Sequence, residues 1–429
     1  MAVRIFDCGH LTWIWAPALF VAAQKGYQQG WVGVFWFTLP NVLCLVVFAF
    51  FATKIRRVLP EGFTLSGYIL ERHSKRVHNL YLLELIGLAM CSFAVQLLAG
   101  GMIISTLTGL NFLLVTVLLS LIALSYSFYS GMRASVMTDY IQMIFIALIG
   151  FVFVPWVVAK AGGFSAVLPG LIGRTGTFTS LFSGDGGKAF WTFGLPVTIG
   201  LMSVPFGDQS FWQRAFSTKK DEVKGAFIKG ALIFATVPLL MSLLGFVAGG
   251  LAMNVKDAQL VNLETVMAFL PAWTVVPFVF MLLSGLVSTL DSNLCAIASI
   301  TGHDIHSRAE IKGDSVGFSR SLMVVFAIGA VMIANIPGME ILYLFLFYGT
   351  LRASTLLPTV ITLSCNRVYE GGMFWGILGS IVLGLPMFAY GKFTGNVPMI
   401  VIGSVFTVLF SGAVTWALKD RLSFSYSKA

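Results

Sequence analysis

The sequence predicts an all-α membrane protein that crosses the lipid bilayer about twelve times. Hydrophobic residues make up 57% of its 429 positions and charged residues only 10%, whereas soluble domains carry about 25% charged residues. Lipid accepts only structures whose backbone groups bond internally, and a crossing helix needs about 20 mainly apolar residues. Lysine and arginine also alternate between successive loops, with twenty on one side of the predicted bilayer and six on the other. This asymmetry predicts that both termini are cytoplasmic.

Twelve segments are apolar enough to be membrane helices. They are 11–24, 30–53, 80–108, 111–130, 134–159, 190–206, 226–252, 270–301, 317–336, 339–364, 370–390 and 396–418. The first is too short for a full crossing, and glycine and proline interrupt the sixth. The interrupting residues are Gly194, Pro196, Gly200, Pro205 and Gly207. Helices one and six are therefore predicted to be broken helices.

The two predicted broken helices lie five helices apart. An odd separation reverses the direction in which a helix crosses the bilayer, a pattern that indicates an inverted-repeat transporter. We expect a five-plus-five core over residues 1–364, with an N-terminally short first repeat at 1–160 and a second repeat at 190–364. Residues 365–429 are expected to add two membrane helices and a short cytoplasmic tail. The alternative is that glycine and proline are simply common in membrane helices.

An apolar segment near the middle of the chain, SGLVSTLDSNLCAIAS, contains many polar side chains. In a helix, Gly285, Ser288 and Thr289 share one face because they stand at i, i+3 and i+4. One partly freed carbonyl and two hydroxyls offer a hard cation only oxygen, so this face can contribute to a sodium site together with carbonyls from an unwound helix. The alternative is that the hydroxyls bond to neighbouring helices or to carbonyls of their own helix.

Several other functional classes are excluded by the residue pattern. The basic residues lie in short loops and form no continuous stripe, which argues against nucleic-acid binding. The five cysteines occur singly, without zinc or disulfide spacing. The five histidines lie outside or at the edges of the apolar segments, so no intramembrane enzyme is expected. The expected partners are a small solute and the lipid of the plasma membrane, with no obligate protein partner evident.

Several stretches resemble known sequences. SGLVSTLDSNLCAIASITGHDI resembles the eighth core helix of the sodium:solute symporter family, YSFYSGMRASVMTDYIQ its fourth-to-fifth helix junction, and GDQSFWQRAFSTKK the end of its sixth core helix. WIWAPALF, DQSFWQRAF and LYLFLFYGTLRASTLLPTV are similar to the urea-active-transporter branch. The resemblance covers nearly the whole chain, in order, and implies transport coupled to Na⁺.

The resemblance also implies which residues bind sodium. Ser288 and Thr289 would contribute side-chain oxygens and Gly285 its carbonyl, and the remaining ligands match the carbonyls of Leu11 and Ile14 at the break in helix one. Asp139 matches a family aspartate on the inward sodium path. A charged aspartate within the bilayer is unfavourable by about 2.5–3.5 kcal/mol, which independently favours a functional or paired role. The alternative for Asp139 is a salt bridge with Arg133 at the membrane edge.

Asp208 and Gln209 follow the interrupted part of helix six, where unwound backbone would let their side chains meet a solute. Urea is small, flat and neutral, with four N–H donors and one carbonyl, so carboxylate and amide acceptors between aromatic walls would suit it. The candidate walls are Phe211, Trp212 and Tyr348. The alternative for Asp208 is a salt bridge with Arg214.

Two further charged residues lie within predicted helices. Asp291 would influence the sodium site electrostatically, or simply hydrogen-bond to Ser288 or a neighbouring helix. Arg352 departs from the family pattern and would either bind an anionic solute or pair with Asp291 or Glu84. We favour pairing, because an unpaired arginine within the bilayer is expensive.

The predicted function is sodium-coupled symport of a small polar solute, urea or a similar neutral molecule, by alternating access. One alternative is a proton-coupled symporter of another small solute, such as an amino acid or carboxylate, in which Asp139 or Asp208 titrates. Another is a passive urea channel. Family members have a longer first core helix, so either the true start lies upstream or the inner gate is incomplete.

Overall fold

The computed structural model describes residues 15–60, 62–307, 312–365 and 370–418, and within these ranges it contains helices and no strands. The α-helices are α1 Ala16–Val58, α2 Leu65–Arg72, α3 Lys75–Thr108, α4 Phe112–Lys160, α5 Phe164–Gly170, α6 Gly184–Ala189, α7 Leu195–Gly207, α8 Gln209–Ser217, α9 Val223–Gly250, α10 Val261–Phe269, α11 Val275–Ser299, α12 Ser315–Ala334, α13 Ile341–Ser364, α14 Glu370–Phe393 and α15 Val397–Ala417. Two π-helical turns, Phe190–Gly194 and Ile300–Ser307, adjoin α7 and α11. The predicted all-α class is confirmed.

Ten helices among the described residues are long and apolar enough to cross a membrane. The twelve predicted segments map onto them because two predicted pairs each fall within one element: 16–24 and 30–53 lie on either side of a kink in α1, with 11–14 outside the described residues, and 111–130 runs on into 134–159 in α4. A straight helix of the 43 residues of α1 would be about 65 Å long, roughly twice the hydrocarbon core. The multi-pass architecture is therefore confirmed, whereas the count of twelve is not.

A sharp kink divides α1 at Gly30. This glycine has φ 57° and ψ −147°, a conformation that L side chains rarely adopt. The carbonyl oxygen of Leu171 accepts the next amide, that of Trp31, at 2.9 Å. A Cβ atom at position 30 would lie only 1.9 Å from the same oxygen. The kink thus depends on a residue without a side chain.

The predicted break in helix six is present, but it is confined to Asp208. The helix continues through Gly194, Pro196 and Gly200, and it ends at Gly207. Asp208 is extended, with φ −127° and ψ 117°, and α8 begins at the next residue. The Asp208 carboxylate accepts from the Ser210 amide at 3.0 Å, which caps α8 and satisfies an amide that has no partner within the helix.

Helix packing brings the break in α7–α8 into the centre of the molecule. Helix α1 packs extensively against α9, α11 against α4, and α13 against α7. At the last contact a Cβ atom on Gly200 would lie 3.0 Å from the Cα atom of Gly349, so the two backbones nearly touch. Large apolar side chains such as Leu83 and Trp191 remain exposed on the outer surface. Exposed apolar surface of this kind is what lipid contact requires.

Candidate functional site

A small polar cavity lies where α7 and α8 separate. Its walls come from Trp15 and from α3, α7, α8, α11 and α13, and the lining residues are Trp15, Ser92, Val204, Asp208, Ser210, Phe211, Thr289, Ser292, Asn293 and Arg352. The centres of water-sized molecules can occupy about 20 Å³ of it, which is room for one or two waters. A solute larger than water would need the cavity to widen.

Asp208 and Arg352 form an ion pair at this cavity. Nη2 of Arg352 donates to Oδ2 of Asp208 at 3.1 Å, while Oδ1 accepts from the Ser210 hydroxyl at 2.7 Å. Arg352 is only 1% exposed. The expectation that Arg352 is paired is correct, but its partner is Asp208 and neither Asp291 nor Glu84. The alternative pairing of Asp208 with Arg214 is wrong for the same reason.

The environment of Arg352 explains how so large a side chain fits there. Gly207 allows close approach, because a Cβ atom at that position would lie 2.9 Å from Cγ of Arg352. The guanidinium lies over the Tyr348 ring, 5.0 Å from its centroid, in cation–π geometry. Nε and Nη1 of Arg352 have no hydrogen-bond partner among the described residues. Tyr348 therefore supports the arginine from behind and does not line the cavity.

A second buried ion pair joins α8 to α4. Nη2 of Arg214 donates to Oδ2 of Asp139 at 3.0 Å and also to the Ser292 hydroxyl at 3.3 Å. Asp139 is 1% exposed, and its other oxygen accepts a short hydrogen bond from Ser288. The Arg133 side chain, proposed above as an alternative partner, lies outside the described residues. The structure thus places Asp139 directly against the helix face predicted to bind sodium.

The three predicted sodium ligands on α11 lie together on one buried face. The Thr289 hydroxyl donates to the Gly285 carbonyl at 3.4 Å, and the Ser288 hydroxyl contacts Asp139. Two hydroxyls, a carbonyl and a carboxylate are an all-oxygen donor set, which suits a hard cation. Leu11 and Ile14 lie outside the described residues, so the full ligand set stays a prediction.

Asp291 adopts one of the arrangements left open by the sequence. Its Oδ1 accepts from the Ser127 hydroxyl on α4 at 2.9 Å, a contact with a neighbouring helix. The carboxylate also interacts electrostatically with Arg214. Asp291 therefore helps to join α11 to α4 behind the predicted sodium face.

Besides Tyr348, two more of the predicted solute ligands, Gln209 and Trp212, do not line the cavity in this conformation. The Gln209 amide oxygen accepts from the Leu65 amide at 2.9 Å, and its nitrogen donates to the Phe63 carbonyl at 3.3 Å. The Trp212 ring is fully buried and packs against Tyr68, 5.6 Å between centroids. Both side chains hold α8 against the start of α2. Their role as substrate-binding residues stays a prediction.

Several cavity residues were missed by sequence analysis. Nδ2 of Asn293 donates to the Ser92 hydroxyl at 3.1 Å, joining α11 to α3 beside the cavity. The Gln96 amide oxygen accepts from the Ala16 amide at 2.8 Å and so caps the start of α1. Ser92 and Gln96 stand at i and i+4 in an otherwise apolar stretch, CSFAVQ. That spacing was the available indication that α3 presents a polar face to the site.

Comparison with protein families agrees with the arrangement of the helices. The family model described as "Sodium:solute symporter family" matches residues 16–380. The chain belongs to the sodium:solute symporter family. This membership agrees with the prediction of a transporter and not an enzyme.

Two curated relatives of this family member are named for urea transport. The chain is 23% identical over 450 residues to the urea-proton symporter DUR3 of Oryza sativa subsp. japonica, covering 94% of this chain and 62% of the relative. It is 22% identical to the urea active transporter of Saccharomyces cerevisiae, covering 83% of this chain and 52% of the relative. The chain thus spans roughly half to three fifths of the length of these relatives.

A solved structure shows the same fold. It is the substrate-bound, outward-open state of a Na⁺-coupled sialic acid symporter, with a TM-score of 0.68 and 14% sequence identity. The match covers 98% of this chain and 91% of that chain. Together with the break at Asp208, this similarity supports the predicted transporter architecture for this member of the symporter family.

Proposed function

We propose that the protein is a sodium-coupled symporter of urea or a similar small neutral solute, working by alternating access. The observation that carries the proposal is the polar cavity at the α7–α8 break, which lies beside the oxygen-rich face of α11. Thr289 belongs to both, since it lines the cavity and is a predicted sodium ligand. Occupation of one site is therefore expected to influence the other.

The cavity groups suit a small solute that both donates and accepts hydrogen bonds. Asp208 provides a carboxylate acceptor, Asn293 an amide, and Ser92, Ser210 and Thr289 hydroxyls. A carboxylate oxygen accepts more than one hydrogen bond, so Asp208 can receive urea N–H groups while it remains paired with Arg352. Trp15 and Phe211 supply the apolar walls. The names of the two urea-transporting relatives support the same solute class.

Sodium is the coupling ion that the α11 face favours. Ser288, Thr289 and Gly285 would contribute oxygens, with Asp139 close enough to attract the cation on its way inward. One charge crossing 100 mV releases about 2.3 kcal/mol, and a tenfold sodium gradient adds about 1.4 kcal/mol. This driving force sustains a solute accumulation of roughly 500-fold. Coupling at this site is thus energetically worthwhile.

The same proposal includes the remaining architectural expectations. Residues 1–160 and 190–364 would form the two inverted repeats that move relative to each other. Both termini would face the cytoplasm, and the protein would reside in the plasma membrane. The two repeats and the orientation of the termini follow from the pattern of apolar segments and basic loops.

Urea uptake into proteoliposomes tests the proposal. We expect accumulation above equilibrium only with an inward sodium gradient, and we expect the Ser288→Ala/Thr289→Ala variant to abolish it. Ser284→Ala is the matched control, because the Ser284 hydroxyl donates to the Phe280 carbonyl of its own helix at 2.7 Å. Sodium-independent equilibration of urea would instead identify a passive channel.

A further inference from the structure

Glu84 is a carboxyl group buried among neutral partners in the middle of the bundle. It lies on α3 facing α13 and is 4% exposed. Its Oε1 accepts from the Thr355 hydroxyl at 2.9 Å and from the Ser354 hydroxyl at 3.2 Å. Its Oε2 has no hydrogen-bond partner among the described residues. No cation donates directly to this carboxyl group in the described part of the chain.

This environment differs from that of two other carboxyl groups near the site and resembles that of Asp291, whose Oδ1 accepts from Ser127 and whose Oδ2 has no hydrogen-bond partner among the described residues. Asp139 and Asp208 each accept a hydrogen bond from an arginine, at 3.0 and 3.1 Å. An ionised carboxylate that is buried without a cation and with one oxygen unpaired is strongly disfavoured, whereas the neutral acid is far less so. Compared with Asp139 and Asp208, Glu84 is the group whose surroundings favour a bound proton.

Charge balance leads to the same conclusion. Arg352 lies between two acidic groups, because it donates to Asp208 and also interacts electrostatically with Glu84. One guanidinium and two carboxylates leave one excess negative charge within the hydrocarbon core, where charge is expensive. A single proton on Glu84 removes that excess and leaves the Asp208–Arg352 pair intact.

The other titratable groups around this cluster cannot balance the charge in the same way. Among the described residues, the other titratable groups in this cluster are phenols and thiols, and a phenol or thiol that loses its proton adds negative charge. These groups are Tyr81 and Cys91 on α3, Tyr68 on α2, Tyr348 on α13 and Cys44 on α1. The Tyr81 hydroxyl is bonded to Thr359 at 2.9 Å and the Tyr68 hydroxyl donates to the Thr362 carbonyl at 3.1 Å.

We propose that Glu84 is a proton-binding site that links the transport cycle to a pH gradient, an inference that rests on the symport function proposed above. A proton from the outer solution binds Glu84 and is released to the cytoplasm when the acid ionises, with no other bond made or broken. When Glu84 is protonated, Asp208 alone holds the Arg352 guanidinium. When Glu84 is ionised, both carboxylates attract the guanidinium, and the contact that stabilises the cavity wall at Asp208 weakens.

Infrared spectroscopy tests the proton site without requiring a known solute. The full-length protein in lipid would be examined for the carbonyl stretching band of a protonated carboxylic acid as pH is raised from neutral to alkaline. We expect a band at neutral pH that is lost on alkalinisation, is missing from Glu84→Gln and remains in Asp291→Asn, the variant that removes the carboxyl group with similar surroundings. Glu340→Gln is the matched control, since Glu340 lies at the surface and pairs with Lys392 at 3.3 Å. A wild-type band that persists in Glu84→Gln overturns the assignment.

Urea uptake under an inward pH gradient tests the coupling. With an inward sodium gradient present throughout, we expect an added pH gradient to raise accumulation at least several-fold in wild type and in Glu340→Gln. We expect no response in Glu84→Gln, and a retained response with a shifted pH dependence in Glu84→Asp. A pH response that survives in Glu84→Gln, or that is absent from a wild type that accumulates urea with sodium, overturns the coupling role. If wild type moves no urea under any gradient, the proposed function fails, and the infrared band still decides whether Glu84 binds the proton.

Discussion

Arg214 on α8 and Asp139 on α4, 75 positions apart in sequence, form an ion pair of 3.0 Å within the helix bundle. The Asp139 carboxylate also accepts from Ser288, so one acidic group connects three helices. The segment after the α7–α8 break is thereby joined to the helix face predicted to bind sodium. Movement of α8 is therefore expected to change the arrangement of the side chains on that face.

Removal of the arginine from this pair should destabilise the protein. Arg214→Met leaves the buried Asp139 carboxylate without its cation, a change of roughly 3–5 kcal/mol in the free energy of unfolding. The double variant Arg214→Met/Asp139→Asn should recover most of the loss, because no unpaired charge remains. Thermal denaturation in detergent measures both. Losses that simply add in the double variant would show that the two residues do not interact.

Gly207→Ala should weaken solute binding with little effect on folding. The added Cβ would lie 2.9 Å from Cγ of Arg352 and 3.0 Å from the Thr355 hydroxyl, so the arginine must shift relative to Asp208. We expect the concentration of urea at half-maximal uptake to rise about tenfold or less, which corresponds to about 1.4 kcal/mol. Gly225→Ala is the control, because nothing lies within 4 Å of the added atom. Equal effects of the two substitutions would show that Arg352 does not contribute to the solute site.

Gly30→Ala should be far more damaging than the same substitution at another glycine of positive φ. Gly109, with φ 71° and ψ 7°, lies in the left-handed α region, where alanine carries about 1–2 kcal/mol of strain, whereas Gly30, with φ 57° and ψ −147°, lies in a region adopted essentially by glycine alone. Only at Gly30 does the new Cβ also collide with a backbone atom, the Leu171 oxygen at 1.9 Å. We expect loss of folded protein for Gly30→Ala and a modest fall in melting temperature for Gly109→Ala. Size-exclusion profiles after purification distinguish the two outcomes.

His73 should contribute to acid sensitivity. Burial, with a smaller contribution from the positive charge of Arg72, lowers the pKa of His73 from 6.5 to about 3. The unfolded chain therefore binds a proton at this residue at pH values where the folded protein does not. The resulting stability is present above about pH 6.5 and is lost as the pH falls towards 3. Melting temperature measured between about pH 7 and pH 4 should fall less steeply for His73→Gln than for wild type; parallel curves would contradict the prediction.

Apolar length predicted the helices well, but the partners of the buried charged residues could not be predicted. The segment expected at 80–108 is α3, Lys75–Thr108, because the thickness of lipid fixes how long an apolar run must be. Hydropathy places Asp208 and Arg352 inside the bilayer, yet it does not say which helices are neighbours. The alternative partner considered for Asp208 was accordingly Arg214, six positions away in sequence, whereas the partner in the structure, Arg352, is 144 positions distant.

Some predicted solute ligands lie away from the cavity for a related reason. Gln209 follows the break immediately, so proximity in sequence suggested proximity to a solute. In the folded protein its amide is bonded to the backbone at Phe63 and Leu65. Ser92 and Asn293, which do line the cavity, lie on helices far apart in sequence. A single sequence gives the polarity of such residues but not the tertiary contact that makes them one surface.

Gly200 and Gly349 bring the backbones of α7 and α13 close together with no side chain between them. Because neither glycine has a side chain at the crossing point, the angle between the two helices can change there without the helices first separating. Gly349 stands three residues before Arg352, and Gly200 stands seven residues before Gly207. A small change in that crossing angle would therefore move Asp208 and Arg352 relative to each other, because they lie about one to two helical turns from the crossing point. The Asp208–Arg352 ion pair is positioned to oppose that change in crossing angle for as long as the pair is formed.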